Sequence, residues 1–138
     1  MKLEITQAEC AEIRKRIFLH LDGWALIPTM CNLKKMNVLT LFLNQNQWTL
    51  EELNKIVKAN EGYLNVALRI LASQGYLNRE VNNTKEEISL KLTQEGKQAF
   101  DLAEYYDDFY QLIKNYTVRP RNIISENANI TALKKSWN

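Results

Sequence analysis

The chain has four glycines, two prolines, two cysteines and a single histidine in 138 residues, and each scarcity closes off a class of chemistry. Gly23, Gly62, Gly75 and Gly96 lie too far apart for a Gly-x-Gly loop through which backbone approaches a phosphate, which excludes phosphate-loop and dinucleotide-binding folds. Cys10 and Cys31 stand apart from each other and from any ligand-spaced histidine. They read as ordinary thiols of a reducing, cytoplasmic compartment rather than a disulfide or a zinc site. No apolar run approaches the roughly 20 residues that span a bilayer, and no signal peptide follows the first residues, so a soluble chain without a membrane partner is expected. Charge of one sign is also missing: 18 Lys and Arg against 16 Asp and Glu leave +2, too balanced to point to a polyanion.

What is present is enough apolar content, 46%, to fill one core. Thr6-Gln7-Ala8-Glu9 and Thr49-Leu50-Glu51-Glu52 both match the capping box, in which a hydroxyl and a carboxylate three residues on satisfy each other's backbone N–H groups. The first opens an amphipathic helix with Cys10, Ile13, Ile17 and Leu21 on one side, expected to stop at Asp22-Gly23. Pro28 fits a bend or a first helical turn, and Met30 to Leu43 reads as the next helix. The second capping box opens a short helix with Leu50, Leu53 and Val57 on one side, and Asn60-Glu61-Gly62 separates it from the apolar run Tyr63 to Leu71. Tyr76 to Val81 and Ile88 to Thr93 flank a turn-rich tip and form a hairpin, and Thr93 caps a last helix rich in aromatics. The predicted fold is mainly α, a winged helix-turn-helix with extra N-terminal and C-terminal helices and one β-hairpin. The predicted boundaries are an N-terminal amphipathic helix over 1–23, the winged helix over 24–118 and a linker or arm over 119–138.

A helix that reads DNA offers polar or cationic groups on an exposed face. On a wheel, Tyr63, Leu64, Val66, Ala67, Leu68, Ile70 and Leu71 occupy more than half the circumference, which predicts a helix buried all round. In the hairpin, Arg79, Lys85 and Lys91 are matched by Glu80, Glu86 and Glu87. Both features argue against DNA as a partner. If DNA were bound nevertheless, Asn65 and Arg69 would be its contacts. Catalysis finds no support either: His20 near Asp22 has no nucleophile beside it, and Glu51-Glu52, Glu86-Glu87 and Asp107-Asp108 are adjacent carboxylates that do not face each other on a helix. No catalytic, cofactor-binding or metal-ligating residue is assigned.

The stretch from Trp24 to Tyr116 resembles the N-terminal winged-helix, or dimerisation, domain of small-molecule methyltransferases that use S-adenosylmethionine. The resemblance is carried by Trp48-Thr49-Leu50-Glu51-Glu52-Leu53, by Gly62-Tyr63-Leu64-Asn65-Val66-Ala67-Leu68-Arg69-Ile70-Leu71-Ala72-Ser73-Gln74-Gly75-Tyr76-Leu77, and by the close of the wing at Thr93-Gln94-Glu95-Gly96. The segment Gly62 to Leu77 is most similar to versions fused to methyltransferases of polyketide and nonribosomal assembly lines. The resemblance implies a front lobe that dimerises and docks on an enzyme or loading module in the same chain or another, with an acyl carrier protein among the candidate partners. It implies S-adenosylmethionine only in an associated domain, since the methyl-donor site of such enzymes lies in a separate α/β domain with a glycine-rich first turn, for which this chain has neither motif nor length.

Aromatic and apolar groups in excess of what one core hides tend to form interfaces. On that ground the expected contact residues are Trp24, Ile27, Met30, Tyr105, Tyr106, Phe109, Tyr110 and Ile113, serving a homodimer or a neighbouring enzyme domain. Two other classes stay open: a winged-helix transcription regulator, and a small-ligand binder or enzyme with a pocket among the tyrosines.

Overall fold

A computed structural model describes residues 5–118, and the side chains of residues 5–115. Six helices and three strands follow in the order α1 (Gln7–Lys35), α2 (Val38–Asn44), β1 (Gln47–Thr49), α3 (Leu50–Val57), α4 (Glu61–Ser73), β2 (Leu77–Asn82), β3 (Glu87–Leu92), α5 (Gln94–Asp101) and α6 (Glu104–Val118). The helix-turn-helix α3–α4, the hairpin β2–β3 and a short β1 that completes an antiparallel sheet of order β1-β3-β2 make a winged helix. The predicted arm over 119–138 lies outside the described residues.

Local chemistry explains most boundaries. Both capping boxes form, with Glu9 N donating to Thr6 Oγ1 at 3.2 Å and Glu52 N to Thr49 Oγ1 at 3.1 Å. Asn60 caps α4 by accepting from Tyr63 N at 3.2 Å, and Lys58 ends α3 at φ 54°. Gly75, at φ 78°, closes α4 in the left-handed conformation.

Three boundaries differ from the sequence reading. α1 runs unbroken through Asp22-Gly23, so the predicted stop, and with it the 23/24 boundary, falls inside a helix. A single interior glycine costs only about 1 kcal/mol relative to alanine, too little to end a helix by itself. Pro28 also sits inside α1, where its ring removes the N–H that would reach the Trp24 carbonyl, while the Thr29 hydroxyl donates to the Ala25 carbonyl at 2.6 Å. The chain turns instead at Met36-Asn37, with Asn37 in the left-handed region at φ 62°. The last helix is likewise two, α5 and α6, parted at Leu102-Ala103.

The core gathers Leu26, Met30 and Leu33 of α1, Val38, Leu39 and Phe42 of α2, Leu50 and Leu53 of α3, Leu64, Leu68 and Leu71 of α4, and Leu77, Leu90 and Leu92 of the hairpin. Phe100 of α5 closes it, edge-on to Phe42 with ring centroids 6.3 Å apart and to Tyr76 at 6.5 Å. β1 is fastened by Trp48, whose indole N–H donates to the Leu41 carbonyl at 3.3 Å and whose backbone pairs with Leu90. The start of α5 is pressed against the Tyr76 backbone. A Cβ on Gly96 would stand 2.0 Å from the Tyr76 carbonyl oxygen, so only glycine fits.

Candidate interaction surfaces

Three surfaces are candidates: the outer side of α4 with the wing, the N-terminal half of α1, and the outer side of α6.

α4 is not buried all round. Leu64, Leu68 and Leu71, at steps of four and three residues, face the core, while Tyr63 is 80% and Val66 52% exposed. Ala67 and Ile70 are half-buried flanks, and Arg69 and Ser73 lie in solvent. The wheel was right about composition and wrong about cover: α1, α3 and β2 pack on α4 and reach one side of it only. Asn65 is half-buried and faces the wing, its side-chain oxygen accepting from Arg79 Nη2 at 3.3 Å. Arg79 Nε is buried without a hydrogen-bond partner among the described residues, so the guanidinium lies partly sunk between α4 and β2. Of the two residues named for DNA, Arg69 is thus exposed and Asn65 is engaged.

The wing extends from this side. Its turn is held by Asn82, whose side-chain oxygen accepts from Thr84 N at 3.1 Å and Lys85 N at 3.2 Å, with Glu86 at φ 51°. Lys85, Glu86 and Glu87 are all exposed at the tip, which is of mixed charge.

The N-terminal half of α1 buries nothing. Its buried residues begin at Leu26, and Ile13, Ile17, Phe18, Leu19, Leu21 and Trp24 are all exposed. Sequence reasoning named Trp24 alone of these as a contact residue. For Ile13, Ile17 and Leu21 the signal lay in their helical spacing, read as the face of a packed helix when no described element packs there; Phe18 and Leu19 lie off that line.

α6 packs on the C-terminal half of α1. The Cys31 thiol donates to the Tyr106 carbonyl at 3.3 Å, and Lys34 forms an ion pair with Asp107. Burial first, and then the nearby Asp107 carboxylate, push the Cys31 thiol up to about 11, so it stays protonated and unreactive at neutral pH. The hydrogen bond from Lys34 holds the Asp107 carboxyl below its ordinary range and raises the Lys34 ammonium. The Tyr76 and Tyr106 hydroxyls meet at 2.6 Å, tying the start of α6 to the junction of α4 and β2. Burial, then this bond, raises the Tyr106 phenol well above its ordinary value.

The expected contact residues divide accordingly. Trp24, Tyr105 and Phe109 are exposed, as is Leu102, which sequence reasoning did not name. Ile27, Tyr106, Tyr110 and Ile113 are half-buried. Met30 is 0% exposed and belongs to the core, out of reach of any partner. His20 and Asp22 lie exposed on α1. Among the described residues no three His, Cys, Asp or Glu side chains are placed to hold a metal, and no helix is long and apolar enough to cross a membrane.

With this geometry, the chain can be set beside known proteins. The family described as AprA N-terminal domain matches residues 13–79, just under half of the chain. No curated protein matches. Solved structures similar to the chain include reduced AbfR bound to DNA, at 15% identity, covering 86% of this chain and 96% of that one with a TM-score of 0.46. A MarR-family transcriptional regulator from Silicibacter pomeroyi, at 18% identity, covers 98% and 91% with a TM-score of 0.45, and wild-type MarR from E. coli, also at 18%, covers 99% and 100% with a TM-score of 0.45. The expectation that DNA is no partner is corrected at its premise, since α4 is not hidden on every side; the AbfR structures similar to the chain are themselves described as bound to DNA. The fold is a winged helix.

Proposed function

We propose that this chain is a cytoplasmic winged-helix module that self-associates through its terminal helices and docks on a larger assembly, as the front lobe of a polyketide-type biosynthetic methyltransferase or loading module. The observation that carries this reading is apolar surface left over after the core is complete: Ile17, Phe18, Leu21 and Trp24 on α1, with Leu102, Tyr105 and Phe109 around α6. The match to the AprA N-terminal domain supports it. Sedimentation across a range of concentrations tests it. A dimer that dissociates on dilution is expected, and a monomer at every concentration would refute it.

A second reading, a DNA-binding regulator, gains from a specific observation. α4 presents Tyr63, Val66, Arg69 and Ser73 to solvent beside a protruding wing, the placement a recognition helix requires. Self-association serves this reading equally, because dimers address two half-sites. Duplex DNA titrations at several salt concentrations separate the two: affinity that falls steeply with salt, and is reduced by Arg69→Ala, selects the regulator.

A further inference from the structure

α1 carries one apolar line along its length. Cys10, Ile13, Ile17, Leu21 and Trp24 follow at steps of three or four residues, and Ile27 and Cys31 continue the same side of the helix. The two ends of this line differ in cover. At Cys31 it lies beneath α6, with the thiol on the Tyr106 carbonyl and Lys34, one turn on, paired with Asp107. From Trp24 towards the N-terminus no other described element covers it, with Ile13, Ile17, Leu21 and Trp24 between 46% and 55% exposed. A helix covers the line over one stretch, and the spacing runs on unchanged where that cover stops.

The bare stretch is complementary to itself. Reversed and laid against a copy, it returns its own spacing: Ile17 meets Ile17, Ile13 meets Leu21, and Cys10 meets Trp24. We infer that a second copy of this chain covers it, with the two α1 helices antiparallel and a two-fold axis passing beside Ile17. This deepens the self-association proposed above, on which it rests, by assigning the surface and its register.

The neighbouring α6 fixes the direction. A parallel mate running on past Trp24 would enter the space α6 holds over Cys31 and Lys34. In an antiparallel mate the helix begins at Gln7, opposite Ile27, so the helix itself ends before Cys31. The seam is then completed end to end, by α6 of the same copy over one half and by α1 of the other copy over the rest.

The test uses the full chain carrying Cys10→Ser and Ile17→Cys, mildly oxidised and run on a non-reducing gel. Because Ile17 is exposed, the substitution leaves the fold intact, and circular dichroism checks this. Facing residues on a two-fold axis come within disulfide reach, so most of this variant is expected as a covalent dimer, whereas the natural Cys10, facing Trp24, does not cross-link to itself. In a Cys10→Ser background, Ile13→Cys and Leu21→Cys variants are expected to cross-link when mixed and neither alone. Ile13→Cys and Leu21→Cys each cross-linking to itself, with the natural Cys10 joining Cys10, would establish parallel helices and overturn the inference. A concentration-dependent dimer with no cross-link at position 17 would overturn it and leave the proposed self-association standing. A monomer throughout would end both.

Discussion

The two halves of α1 are one continuous helix and two different physical objects. Residues 26–35 sink Leu26, Met30, Cys31 and Leu33 into the domain, while residues 7–25 bury none of their side chains. Both halves repeat apolar groups at helical spacing, so the pattern that signals an amphipathic helix does not say what the apolar side faces. Periodicity fixes which residues share a side; the partner is set by whatever element the chain brings there. In α1 the described residues supply one for the second half only.

This contrast can be broken most strongly at Met30. Met30→Ala removes a wholly buried side chain and is expected to cost about 2–5 kcal/mol in chemical denaturation. Gly96→Ala comes next: its Cβ would meet the Tyr76 carbonyl at 2.0 Å, and the junction that carries the Tyr76–Tyr106 contact would have to shift, at about 1–3 kcal/mol. A thermal melt of that variant should show the loss, and Gly96→Ser should be no better.

Asp107→Asn sharpens the comparison by loosening α6 from the covered half of α1. Because the Lys34–Asp107 pair is more than a third exposed, the expected loss is about 0–1 kcal/mol. Its pH dependence has a definite sign. The folded carboxyl is held below its ordinary range, so its contribution is fully present above that range and disappears as the pH falls through the lowered value. Urea titrations of the natural chain and of Asp107→Asn should therefore converge on acidification below about pH 4. Smallest of all is Ile17→Ala. In a monomer dilute enough to exclude association it should change stability by no more than about 0.5 kcal/mol, although Ile17 shares its spacing with the buried half of the same helix.

Much of the winged helix was legible in the sequence because its punctuation is local. Thr49 with Glu52, Asn60, Gly75 and Thr93 all act on groups within a few residues, and each marks a boundary where expected. Gly23 misled because its helix-breaking tendency, about 1 kcal/mol, is small enough for a long helix to override, and Pro28 because its larger cost, about 3 kcal/mol, is offset by the burial of Leu26, Met30 and Leu33 around it, whereas Asn37, which does turn the chain, carries no comparable signal. β1 was not legible: three residues become a strand only because β3 lies beside them. The surfaces were the least legible part. Tyr63 and Val66 read as core because nothing in their own stretch says how few elements reach α4, and Met30 read as interface for the converse reason.

The third strand has a final consequence for the wing. β1 pairs with β3 only from Ser89 to Lys91, so the outer rungs, Val81 with Ile88 and Asn82 with Glu87, rest on a bare two-stranded ribbon. Such ribbons are marginal in water by themselves. Backbone amides of the tip should therefore exchange with deuterium through local fraying well before those at Leu90 and Leu92, giving the domain a rigid root and a pliant finger that a bound surface would set in place.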